Sequence, residues 1–223
     1  MNLLKKIAIL AVAFLFANSL IVLANSSDAG DSLQRIENVP PLSSLGGIEL
    51  DNEQLERIQF IWKHTGEWKE EVAKGDLAKW LIAISFVESQ LGRAQVNLRN
   101  SNGYADCGLW HNNIRYYLHK HSIQDTPLMR NIYCSTLITR RELALSHTLE
   151  TLFHFKQYWE KRGKQTTALH RAIMSYNVGY FKEGGSRQKI GLAYFQKVLK
   201  IYNEIEKKEQ QLQSLLWQAG VKK

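Results

Sequence analysis

The sequence predicts an all-α protein built around one buried helix, on three observations. Apolar residues recur at helical spacing in one segment after another, and no strand-like alternation of any length appears. The segment from Leu77 to Leu91 is also apolar nearly all round, as a helix enclosed by others must be. Within it Leu77, Trp80, Leu81, Ile84 and Leu91 share one face, and Ile82 and Phe86 lie opposite. Asp76 reads as the cap of this helix and Gly92 as its close. Glu88 follows Ile84 by four residues and therefore points inward. Burying a carboxylate is costly and drives it towards its protonated form. Such a group either pairs with a basic residue or serves as a general acid.

The remaining elements follow in chain order. Lys5 and Lys6 precede an apolar run, Ile7 to Ala24, broken only by Asn18 and Ser19. This is the pattern of a secretory signal, with Val22 and Ala24 as the small-residue cleavage site. The run of roughly 18 residues is also near the minimum for a membrane span, so residues 1–24 read as a cleaved signal or a retained anchor. Both outcomes export the rest. Residues 25–51, with Pro40, Pro41, Gly46 and Gly47 and no periodicity, read as a linker or arm. Leu55, Ile58, Ile61 and Trp62 open a helical stripe that continues past Gly66 to Val72 and ends at Gly75. The polar stretch from Asn97 to Gly108 reads as a loop, followed by a short aromatic helix, Leu109 to Leu118. An irregular stretch around Pro127 contains Cys134. Helices are expected over Leu143 to Trp159, Thr166 to Tyr176 and Ile190 to Leu216, with Gly179, Gly184 and Gly185 interrupting before the last. The domain is thus expected over residues 52–203, with a helical basic tail at 204–223.

A chain of 223 residues, 44% hydrophobic and with 3 prolines, buries a core and needs no more than one globular domain plus flanks. The net charge of +8 is uneven: residues 1–56 carry three Lys/Arg against seven Asp/Glu, and the remainder 26 against 14. A basic exported domain suits an anionic polymer or a membrane surface, or simply carries solubility charge. No nucleic-acid motif appears and the basic residues are scattered, so nucleic acid is not expected. Export also permits a disulfide between the two cysteines, Cys107 and Cys134, with two free buried thiols as the alternative. His119 and His121 lack a carboxylate or thiol cluster at ligand spacing, so neither a metal nor another cofactor is expected.

Four motifs occur in order. Glu88-Ser89 is followed by Asn100-Ser101-Asn102-Gly103-Tyr104-Ala105-Asp106-Cys107-Gly108-Leu109-Trp110, then by Ser175-Tyr176-Asn177-Val178-Gly179, then by Tyr194-Phe195-Gln196-Lys197-Val198-Leu199. On these residues the chain, over roughly Leu77 to Tyr202, resembles the lysozyme-like, single-glutamate lytic transglycosylases of the soluble lytic transglycosylase type. The loop before Gly108 is most similar to small members associated with envelope-spanning secretion, conjugation and pilus systems. The resemblance implies a lysozyme-like fold, a periplasmic location, free or tethered to the inner membrane, and peptidoglycan glycan strands as substrate.

Carried over residue by residue, the resemblance makes Glu88 the catalytic acid and Ser89 a hydroxyl that helps to orient bound sugar. Gly108 and Leu109 open the substrate-groove segment, and Tyr176 and Asn177 match a tyrosine-asparagine pair whose hydroxyl is expected close to the acid. Asn113 falls where related members place an asparagine. Where the family commonly continues Gly-Leu-Met-Gln, this chain has Gly108-Leu109-Trp110-His111. Trp110 is a tolerable exchange for the methionine and could supply a stacking platform for a sugar face. His111 replaces the glutamine's hydrogen bonds with those of an imidazole, which also favours an anionic group when protonated. Hydrolytic glycosidases usually use two carboxylates. The resemblance implies that one suffices here: Glu88 protonates the oxygen between N-acetylmuramic acid and N-acetylglucosamine, then accepts the proton of the muramic C6 hydroxyl as a 1,6-anhydro ring closes. Burial in the apolar stripe is expected to tune the acid. Two other readings stay open: a hydrolytic lysozyme with Asp106 as second carboxylate, and a non-catalytic peptidoglycan-binding or assembly protein.

Overall fold

The computed structural model describes residues 39–65, 74–98 and 104–220. The expected signal or anchor and residues 25–38 of the expected arm lie outside them. Among the described residues the chain is mainly helical: α1 (Asn52–Thr65), α2 (Lys74–Ser89), α3 (Ile114–Lys120), α4 (Pro127–Thr139), α5 (Arg141–Glu160), α6 (Ala168–Val178), α7 (Ser186–Lys207) and α8 (Glu209–Gln218). Two-residue strands accompany them. β1 (Ser44–Leu45) pairs antiparallel with β2 (Ile48–Glu49), and β3 (Val96–Asn97), β4 (Asp106–Cys107) and β5 (Asn112–Asn113) form an antiparallel sheet in that order. Strands this short show no alternation, which is why the sequence announces only the helices.

Contacts divide the chain into two compact units, whose described parts are residues 43–209 and residues 39–42 with 210–220. In the smaller, Leu42 N donates to Gln211 O and Ser214 Oγ to Val39 O. Leu42, Leu212, Leu215 and Leu216 are buried, so the stretch expected as a basic tail carries core leucines.

In the larger unit α2 is enclosed: Leu77, Ala78 and every residue from Trp80 to Ser85 are buried. Both α1 and α7 pack against it, and α6 packs against α5 and α7. Trp80 stacks on Tyr202 of α7, their ring centroids 4.0 Å apart. α2 begins at Lys74, so Asp76 is not its cap but sits in the first turn, where a carboxylate complements the exposed amides. The helix ends at Ser89 on three left-handed residues, Gln90, Leu91 and Gly92, with φ of 51°, 56° and 86°. α1 takes up the carbonyls freed there: Gln54 Nε2 donates to Gln90 O (2.8 Å) and Arg57 Nη1 to Leu91 O (2.7 Å). A Cβ on Gly92 would lie 2.9 Å from the Arg57 guanidinium, so this close needs glycine.

Four expectations are corrected. From Ser43 the segment read as an arm is a hairpin belonging to the larger unit, with Gly46 and Gly47 both at positive φ in its two-residue turn. Lys208 Nζ donates to Ser44 O and Gly46 N to Glu204 Oε2, which fastens the hairpin to the end of α7. The helix expected from Leu109 starts instead at Ile114, because the Asn113 side chain caps it by accepting from Tyr116 N. The stretch around Pro127 is helical: Thr126 caps α4 by accepting from Met129 N, and Pro127 occupies the first turn, where its missing N–H costs nothing. The helix expected from Ile190 to Leu216 is interrupted at Lys208.

Cys107 of β4 and Cys134 of α4 form a disulfide, their Cα atoms 5.3 Å apart. Replacing both by alanine is expected to lower stability by about 3 kcal/mol, read as a lower urea midpoint. Equal midpoints would show that the bond adds nothing.

Candidate active site

The site is built on the turn between β4 and β5. Gly108 takes φ +82°, and a Cβ there would stand 2.7 Å from the Leu137 carbonyl, so only glycine lets the turn press against α4. Main-chain groups of the turn and of α2 then hold it in place. Ser89 Oγ donates to Leu109 O (2.6 Å) and accepts from Gly92 N (2.8 Å). Trp110 is fully buried and its indole N–H donates to Leu81 O (3.0 Å). His111 closes the turn at φ +48°, a conformation that side-chain-bearing residues adopt rarely, histidine more often than most.

That conformation brings the His111 ring to the end of α2. Its Nε2 lies 2.6 Å from Ala94 O and its Nδ1 lies 3.3 Å from Glu88 Oε2. The two side chains are 8% and 14% exposed. Burial alone would lower the imidazole's proton affinity. The Glu88 carboxylate, the Ala94 carbonyl and the Asp106 charge outweigh it and hold His111 above its ordinary 6.5. Because the folded value is the higher one, the stability this pair contributes is present in full below about pH 6.5 and is lost as pH rises through the folded value.

Glu88, Asp106, His111, Asn113, Tyr176 and Asn177 line one open cleft of about 810 Å³, within the range usual for ligand sites. The rings of Tyr116 and Phe155 and the exposed Ile190 also line it. Asp106 Oδ1 accepts from Asn113 Nδ2 (2.8 Å) across the β4–β5 pair. The Tyr176 hydroxyl donates to Trp110 O (2.8 Å) and lies 3.2 Å from Asn112 Oδ1, which also accepts from Thr148 Oγ1. Burial, then the charge of Glu88, pushes the Tyr176 phenol far above its ordinary range, so it stays neutral. Tyr194 of α7 is raised for the same two reasons, and its buried hydroxyl feels Glu88 without making an aligned hydrogen bond. His147 of α5 is buried in the cleft wall, and burial together with the Lys120 charge pushes it down to about 4.

Five of the residues expected at the site thus come together around the cleft: Glu88, His111, Asn113, Tyr176 and Asn177. Four serve behind it. The Ser89 hydroxyl is engaged by main-chain groups and does not reach the cleft, Gly108 and Leu109 shape the turn, and Trp110 offers no ring face for stacking because it is core. Both phenols are raised by the Glu88 charge, and the Tyr176 hydroxyl also braces the turn through Trp110 O. Residues the sequence reading did not assign are Asn112, whose amide ties β5 to α5 through Ala144 O, and the trio His147, Thr151 and Phe155. The i, i+4, i+8 spacing of that trio marks one face of α5 and was a signal available in the sequence. Glu88 is also less apolar in its surroundings than its stripe suggested, since the His111 ring lies 3.3 Å from it and Asp106 and Tyr176 line the same cleft.

Compared with known protein families, with curated proteins and with solved structures, the chain matches none. Among the described residues no cluster of three or more His, Cys, Asp or Glu side chains has metal-binding geometry, and no helix is long and apolar enough to cross a membrane.

Proposed function

We propose that the protein is a peptidoglycan lytic transglycosylase with a lysozyme-like helical architecture. It cleaves the β-1,4 bond between N-acetylmuramic acid and N-acetylglucosamine and leaves a 1,6-anhydromuramic product. One observation carries the reading: a part-buried carboxylate, Glu88, lines an open cleft of about 810 Å³, with an imidazole as its ionisable partner. Glu88 protonates the glycosidic oxygen, and the ionised carboxylate then takes the C6 hydroxyl proton as that oxygen closes on C1. One group acting first as acid and then as base is what anhydro-ring formation requires, without a second carboxylate. The Tyr116 and Phe155 rings suit the apolar faces of sugars. The ordered motifs from Glu88-Ser89 to Tyr194 support the same substrate class, and the Cys107–Cys134 bond supports an exported, periplasmic location. Service to an envelope-spanning secretion, conjugation or pilus apparatus, and an inner-membrane tether at residues 1–24, extend the proposal.

A second reading has an observation in its favour, since Asp106 lines the same cleft as Glu88. As a hydrolase the protein would use Asp106 to handle water. Mass spectrometry of muropeptides released from purified sacculi separates the two. Anhydromuramic ends are the expected result, reducing muramic acid ends would establish hydrolysis, and no release would leave a binding protein.

A further inference from the structure

We propose that His111 is the proton partner of Glu88: the two side chains share one mobile proton, so the pair, and not the carboxylate alone, sets the alkaline limit of activity. This rests on the reading of Glu88 as the acid. The geometry of the ring carries it. Ala94 O can only accept a hydrogen bond, and at 2.6 Å it fixes a proton on Nε2 in every tautomer. Nδ1 is left facing Glu88 Oε2 at 3.3 Å. With the mobile proton on Nδ1 the pair is an imidazolium beside a carboxylate. When the N–H bond breaks and an O–H bond forms on Oε2, it becomes a neutral imidazole accepting from a carboxylic acid. The second form is the one that donates to a glycosidic oxygen.

Glutamine, the residue expected here by resemblance, donates a hydrogen bond but holds no proton that titrates. The exchange therefore adds a proton store beside the acid. It does so from a left-handed backbone position and a nearly buried side chain, which rigidly orient the ring. The other groups facing the pair are Asp106 of β4, whose negative charge favours the imidazolium, and the phenols of Tyr176 on α6 and Tyr194 on α7, which remain neutral. With one proton on the pair the site is active. When the pair loses it, the acid form disappears, and that loss follows the imidazole.

Two measurements on the full chain test this. In proton–nitrogen NMR spectra of labelled protein, His111 is expected to titrate above 6.5 in the wild type and about one unit or more lower in Glu88→Gln. The same titration in both would overturn the pairing. In pH profiles of muropeptide release, the alkaline limb of His111→Gln is expected to lie at least about one unit below that of the wild type. Overlapping limbs would overturn the role in activity. A merely structural role lowers rates at all pH values without moving the limb, and if His111→Gln does not fold, the Glu88→Gln titration still decides the pairing. A wild type that releases nothing would remove the reading of Glu88 as acid while leaving the NMR result to stand on its own.

Discussion

Glu88→Gln is expected to slow muropeptide release from sacculi by about 10²–10⁴-fold, the usual contribution of a general acid. Glutamine fills about the same volume and keeps an amide oxygen to face His111 Nδ1, 3.3 Å away from the present carboxylate oxygen, but it has no acidic proton to give. Sacculus binding, measured by sedimentation, is expected to persist, because the cleft keeps its walls. Initial rates equal to those of the wild type would move the acid elsewhere, and Asp106, in the same cleft, would be the next residue to exchange.

Trp110→Ala is expected to cost about 3–5 kcal/mol, the range for truncating a fully buried aromatic residue. Against the ~5–15 kcal/mol that holds a domain together, this is a large share. The loss has two parts. A cavity opens under the turn, and the indole bond to Leu81 O disappears. Trp110→Phe separates them, since it keeps most of the bulk and forfeits a hydrogen bond worth about 0.5–1.5 kcal/mol. Urea denaturation reads both variants, and an alanine variant within 1 kcal/mol of the wild type, by the same order-of-magnitude scale, would show that the ring is not core. Activity of the alanine variant is expected to fall as well, because the Trp110 carbonyl anchors the Tyr176 hydroxyl.

The helices were legible because each buries a stripe several turns long. The enclosed α2 could be read from Leu77 to Leu91, and Glu88 stood out as the one charge in its later turns. The Cys107–Cys134 bond was legible because only two cysteines were available and the leading residues pointed to export. Features set by single residues were harder. The Gly46-Gly47 turn joins strands of two residues, so nothing around it alternates, and the pair resembled a linker. The start of α4 was signalled by Thr126-Pro127, but a proline weighed against a helix until its position at the first turn was known. At the site, the resemblance identified which residues are near the cleft without saying which way they face. Trp110 and Ser89 turn inward because main-chain carbonyls of Leu81, Ser85 and Leu109 are there to receive them, and such acceptors exist at every residue and leave no trace in the sequence.

The turn at Gly108 to His111 is gripped almost wholly by its peptide groups: Leu109 O by Ser89, Trp110 O by Tyr176, Gly108 N by Gln95 O. Peptide groups are common to all residue types, and to their grip His111 adds its ring's contact with Ala94 O and a left-handed close. Exchanging His111 therefore changes what faces Glu88 and what holds Ala94 O, and leaves the peptide hydrogen bonds of residues 108–110 untouched.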